Sequence, residues 1–289
     1  MPAAANENSP RPPGSGGDSP SPVGGRGTPP IAPRTGRPPR PWIPILATVV
    51  VVIVAFSALW GTGILNFGGG TSPPYPPVSY ATAAPLAPAP ATTAPGGPWT
   101  IVAGEGLAVP TQLPPTNLSS IGGLSCTFAP VSKGQSNVSI PVTPAGTRPG
   151  EAAVWVFFAK NSSLNTVLVI TVGGGRSVAL GYLTGCGTVT DFTQLDAITG
   201  VGVVDSTSVA AEFNANGGTP FLDSETVSFQ LFLLLGGFSG THYAPLWEVK
   251  YSTCAVESPS GPGTWISAYY YATNGTTVTP PTEDSGTCT

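Results

Sequence analysis

The residues of this chain best suited to redox or metal chemistry are four cysteines, Cys126, Cys186, Cys254 and Cys288, and a single histidine, His242. No two cysteines form a CxxC pair, and His242 stands 12 residues from the nearest one. A zinc centre needs about four clustered nitrogen or sulfur ligands, so neither a metal nor another cofactor is expected. An even cysteine number instead points to disulfides in an oxidising compartment. Three connectivities are open. Cys254–Cys288 with Cys126–Cys186 is preferred because each bridge then stays within one subregion.

The other chemical candidates do not assemble into a catalytic set. The string Gly237-Phe-Ser-Gly240 lacks the GxSxG frame, and no HExxH occurs. Asp284-Ser-Gly286 has the form of an aspartic-peptidase loop, but no second copy exists to make a dyad, and it reads as part of a polar C-terminal tail. Asp191, Asp196, Asp205 and Asp223 are too widely spaced for a calcium loop. Gly173–Gly175 is followed by no Lys-Ser/Thr and reads as a hairpin turn. No catalytic residue is assigned, and a non-enzymatic protein is expected. Four sequons, at Asn117, Asn137, Asn161 and Asn274, are candidate glycosylation sites.

Composition narrows the partners. Charged residues make up 8% of the 289, and ten Lys+Arg cannot build the basic surface that a phosphate backbone requires. No nucleic-acid partner is expected. Gly (38) and Pro (35) together form about a quarter of the chain, twice the usual share, so part of it should not pack.

Residues 1–41 hold 12 Pro and almost nothing apolar, and are read as a disordered Pro/Arg-rich segment. Residues 42–67 (WIPILATVVVVIVAFSALWGTGILNF) carry no ionisable side chain. Within them Ile43–Leu65 gives about 34 Å of helix, enough to cross a hydrocarbon core of about 30 Å. The bilayer is thus the first expected partner. Five Arg precede this run and no Lys or Arg follows it until Lys133, which places the N-terminus in the cytoplasm and the rest outside, in a single-pass cell-membrane protein. Residues 68–98, with nine Pro, read as a stalk that could reach roughly 95 Å in polyproline II.

Residues 99–289 change character and are read as a β-rich α+β extracytoplasmic head. The runs 152–159, 165–172 and 176–183 are rich in β-branched and aromatic residues and are separated by Asn-Ser-Ser and Gly-Gly-Gly turns. In 203–218, Asp205 or Ser206 can cap a short helix, Val209, Ala210 and Phe213 share a face, and Asn216-Gly217-Gly218 ends it. The apolar run 227–238 is too short to span a bilayer and reads as a buried strand. In 245–254, Trp247, Val249 and Tyr251 alternate with Glu248, Lys250 and Ser252, and 264–279 enters an Asn274-Gly275 turn.

A short helix, a strand, a strand reading L-W-E-V-K-Y and a strand closing on A-T-N-G-T-T-V together resemble the PepSY module of secreted and membrane-tethered proteins. The resemblance covers residues 203–279, with Asn-Gly replacing the more usual Thr-Gly. It implies a small α+β module that binds or restrains a peptidase.

Three functional classes follow. The leading one is a membrane-anchored surface protein whose head binds a partner or builds the envelope. The second is a PepSY-like regulator or inhibitor of an extracellular peptidase, and the third an acid-adapted hydrolase using two carboxylates. Two inward-facing carboxylates in one cleft would favour the hydrolase. Residues 68–289 carry five Lys+Arg and twelve Asp+Glu, a sparse charge that also predicts tolerance of acid.

Overall fold

The alternating runs fold as strands of one sheet, and their order shows how two consecutive meanders are joined. The computed structural model describes residues 75–108, 116–117, 127–131, 137–138, 148–161, 163–164, 166–184, 194–199, 202–237, 244–254 and 261–288. The chain enters through β1 (Val78–Ser79), helix α1 (Tyr80–Ala83), a 3-10 turn (Ala84–Leu86) and helix α2 (Pro88–Thr93). Then come β2 (Thr100–Ala108), β3 (Thr116–Asn117), β4 (Thr127–Pro130), β5 (Asn137–Val138) and β6 (Glu151–Ala152). A first meander follows: β7 (Trp155–Asn161), β8 (Thr166–Gly173) and β9 (Arg176–Thr184). Helices α3 (Ser206–Phe213) and α4 (Thr219–Ser224) lead into a second: β10 (Phe229–Leu235), β11 (Leu246–Ser252), β12 (Pro262–Tyr271) and β13 (Thr277–Thr287).

Among the described residues the main sheet has nine strands in the order β13-β12-β11-β10-β2-β7-β8-β9-β4, with every neighbour antiparallel. Strand β2 therefore bridges the two meanders, pairing with β10 on one side and β7 on the other. Residues 203–279 are continuous with this sheet through that pairing. The short pairs β1–β6 and β3–β5 stand apart from it.

One face of the sheet is covered by the helices. Trp155, Phe157, Leu168, Ile170, Phe232, Trp247, Val249, Tyr251 and Tyr270 form its core with Val209, Ala210 and Phe213 of α3. The three α3 residues share the face that their spacing predicts, and Phe213 meets Tyr251 edge-on at 4.8 Å. Tyr80 sits at the centre of this layer. Its ring lies 5.5 Å from Trp155 and 5.2 Å from Trp247, edge-on to both. Gly104 and Gly106 of β2 make the room: a Cβ on Gly104 would meet Tyr80 and Phe157 at 3.1 Å, and one on Gly106 would meet Trp155 at 2.7 Å.

The opposite face is buried as well. Leu107, Val156, Phe158, Val167, Leu231 and Leu233 are enclosed there, so the central strands read as near-continuous apolar runs.

Three sequence expectations need correction. From Tyr75 onward the supposed stalk belongs to the folded domain: β1 pairs with β6, and Tyr80, Ala83, Ala87 and Ala91 are buried against the sheet. Proline content misleads here because Pro85 lies in the 3-10 turn and Pro88 opens α2, positions where a missing N–H costs nothing. The helix after Asp205 does not stop at Asn216-Gly217-Gly218. It kinks at Gly217 and resumes as α4. The C-terminal residues 277–287 are not a tail but β13, the edge strand of the sheet. Residues 1–41, the apolar run 42–67 and residues 68–74 lie outside the described residues. Among the described residues no helix is long and apolar enough to cross a membrane.

Candidate functional site

Antiparallel register brings together groups that are far apart in sequence. Leu233 of β10 stands opposite Glu105 of β2 on one side and Glu248 of β11 on the other, and Glu248 is in turn opposite Tyr269 of β12. Residues opposite one another across a sheet point to the same face. Glu105 and Glu248 therefore flank Leu233 in one row, with roughly 10 Å between their backbones. This is the face away from the helices. Both carboxyl groups are enclosed, Glu105 at 2% exposure and Glu248 at 3%.

The electrostatics follow from that enclosure. Burial pushes the Glu248 carboxyl up to about 7, against the smaller opposing pull of the Lys250 ammonium and a hydrogen bond with Tyr269. Its Oε2 has no hydrogen-bond partner among the described residues. Burial lowers the Lys250 ammonium, while the Glu248 and Asp284 carboxylates act to raise it. Its Nζ lies 5.1 Å from the centre of the Trp265 ring, a cation–π arrangement. Burial also raises the Tyr269 phenol, and the adjacent Glu248 charge adds to that effect. A carboxyl held near neutrality can keep or release a proton at physiological pH. Here it does so inside the sheet rather than at an open surface.

The sequence-predicted sites are placed as follows. Cys254 and Cys288 form a disulfide, with Cα atoms 5.5 Å apart. It crosses β12 at Gly263, where any Cβ would collide with both sulfurs. Cys126, Cys186 and His242 lie outside the described residues. The backbones of Asn117 and Asn137 pair with each other in β3–β5. Asn161, at the end of β7, is 5% exposed; its Nδ2 donates to the Gly96 carbonyl and its Oδ1 accepts from Ser163 N at 2.9 Å. Asn274 is exposed in the β12–β13 turn. Asp284 and Ser285 lie on exposed β13. Among the described residues no group of three or more His, Cys, Asp or Glu is placed to hold a metal ion.

Sequence reasoning did not single out Glu105 or Glu248 as a pair. The alternation in 245–254 does put Glu248 on the face opposite Trp247, but only the fold shows that this second face is also enclosed. Glu105 lies between Gly104 and Gly106, a pattern that carries no strand signal by composition. No protein-family model, curated protein or solved structure matches this chain.

Proposed function

We propose that this chain is a non-enzymatic, membrane-anchored surface protein whose β-rich head is held close to the bilayer and recognises a partner there. The observation that carries the reading is the stitching of residues 78–91 into the head. Trp155 Nε1 donates to the Val78 carbonyl at 2.9 Å, and Tyr80 N donates to Ser206 Oγ at 3.0 Å. If residues 42–67 span the bilayer, only residues 68–74 separate the span from the fold. Seven residues reach at most about 25 Å, far less than a stalk of 31 residues would. Enclosure of Glu105 and Glu248 further supports a head that recognises rather than reacts.

Protease shaving of intact cells, followed by mass spectrometry, tests this. Peptides should come from loops of residues 99–289 while residues 1–41 stay protected, and no cut should fall within residues 78–94. Release of an intact head by cleavage inside 78–94 would show a flexible stalk and end the close-docked reading. Exposure of residues 1–41 would reverse the orientation.

The in-register carboxyls support a second reading, a carboxylate hydrolase with Glu248 as proton donor and Glu105 as its counterpart. Screening the purified protein on glycoside and peptide panels decides it, because turnover abolished by Glu248→Gln would favour the hydrolase.

A further inference from the structure

Two sequon asparagines, Asn161 and Asn274, have described side chains, and the fold treats them in opposite ways. Asn161 is buried at the end of β7, and both ends of its carboxamide are used by the fold: Nδ2 donates to the Gly96 carbonyl, and Oδ1 accepts from Ser163 N. Asn274 lies in the turn between β12 and β13, where Tyr271 N donates to the Thr276 carbonyl and Gly275 N donates to the Tyr271 carbonyl. Gly275 has φ +72°, the left-handed backbone that favours glycine and completes this tight turn. Asn274 and Thr276 are both exposed. Asn274 Oδ1 accepts two hydrogen bonds, from Thr276 N at 3.0 Å and from Thr276 Oγ1 at 2.7 Å. Its Nδ2 is engaged by no hydrogen bond among the described residues.

We infer that Asn274 is a site of N-linked glycosylation on the folded head and that Asn161 is not. The reaction needs a sugar activated as a glycosyl diphosphate. Asn274 Nδ2 forms a bond to the anomeric carbon, the bond from that carbon to the diphosphate oxygen breaks, the diphosphate leaves with the electron pair, and Nδ2 gives one proton to a base of the transferase. As that proton leaves, negative charge collects on Oδ1, where the two Thr276 donors stabilise it. The turn thus holds the sequon in a conformation suited to the transfer. Asn161 would have to break both its contacts and leave the β7 terminus to react.

Placement within the sheet agrees. Tyr75, where the described chain begins, packs against Gly173 and Gly174 of the β8–β9 turn. Following the paired rows from Tyr271 through Leu246, Leu235, Ala103 and Phe158 puts the Asn274 turn at the opposite ends of the strands.

The inference rests on the outward placement of the head, so the experiment carries a control for it. The full chain is made in cells that perform N-glycosylation, with an additional Asn-Ala-Thr sequon in a Gly/Ser tail after Thr289. Site occupancy is read by peptide mass mapping with and without enzymatic deglycosylation. The expected result is modification of the tail and of Asn274, an unmodified Asn161, loss of the Asn274 signal in Thr276→Val and its retention in Thr276→Ser. A modified tail with bare Asn274, or modification at Asn161, overturns the inference while leaving the outward placement intact. A bare tail together with bare Asn274 overturns the outward placement and the inference with it.

Discussion

Ser206 receives the backbone N–H of Tyr80 at 3.0 Å across 126 positions of sequence. The same hydroxyl donates to the Gly150 carbonyl at 2.7 Å. Beside it, Asp205 Oδ1 accepts Ala81 N at 2.8 Å, and Oδ2 accepts the Thr207 hydroxyl at 2.8 Å. Residues that the sequence marks as the cap of their own helix therefore cap another one: Tyr80 N and Ala81 N are the first donors of α1, left without partners inside that helix. Ser206→Ala would strand two buried backbone groups, a cost of about 1–3 kcal/mol. Asp205→Ala, at a more exposed bond, should cost about 1 kcal/mol. Denaturant unfolding followed by tryptophan fluorescence checks both. Equal, negligible losses would mean that α1 is not held by this contact.

Close packing at β2 makes a second expectation. A methyl group on Gly106 would lie 2.7 Å from the Trp155 ring, in a layer with no slack. Gly106→Ala should destabilise by about 1–3 kcal/mol through forced repacking, and the near-UV circular dichroism of the buried tryptophans should change with it. Gly202→Ala is the matched control, because nothing lies within 4 Å of its Cβ position. Comparable losses in the two variants would show that glycine content, not the Trp155 contact, sets the effect.

The strands were legible because β-branched and aromatic runs with glycine turns between them carry their own signal. The strands at 229–235 and 246–252 lie in the expected runs, and those at 155–161, 166–173 and 176–184 overlap theirs, ending one or two residues later. The start of the domain was not legible by composition, since nine prolines in 68–98 outweigh everything else there. Yet Tyr80, Ala83, Ala87 and Ala91 recur every three or four residues, and all four are buried. That spacing is the helical signal, written in alanine and so nearly invisible to a hydrophobicity count. The pairing of Glu105 with Glu248 was beyond reach for another reason. It depends on β2 inserting between two meanders, a contact that no local pattern encodes.

The Cys254–Cys288 bridge closes a loop of 34 residues around β12. The chain-entropy relation gives about 4 kcal/mol for such a loop. The paired Cys254→Ser, Cys288→Ser variant should lose a comparable amount, and the loss should be concentrated at the edge of the sheet. Hydrogen exchange should then show β13 and the end of β12 opening before β10 and β2. Uniform loss of protection would instead mean that the bridge limits only global unfolding.

Stability should rise toward mild acid, and Glu248 supplies the reason. In the unfolded chain its carboxyl ionises near 4.5, whereas burial in the sheet holds it protonated up to about 7. Between these values the folded state binds a proton that the unfolded state has lost, so unfolding becomes easier as pH rises. The contribution is complete below about pH 4.5 and is lost as pH climbs through 7. Lys250, held below its ordinary value, works the other way: stability is regained as pH rises toward the ordinary lysine range. The buried Tyr269 phenol, raised above its usual value, does not titrate in the window that concerns Glu248. Glu105, in the same row, is a second enclosed carboxyl, so Glu105→Gln is the companion variant. Glu248→Gln should flatten the stability profile between pH 4.5 and 7.5 and raise stability at pH 8 by on the order of 3 kcal/mol. Denaturant midpoints measured across that range for the wild type and both variants provide the check. An unchanged slope in Glu248→Gln would mean that this carboxyl ionises at its ordinary value and that the sparse charge of the domain, not one buried acid, accounts for any tolerance of acid.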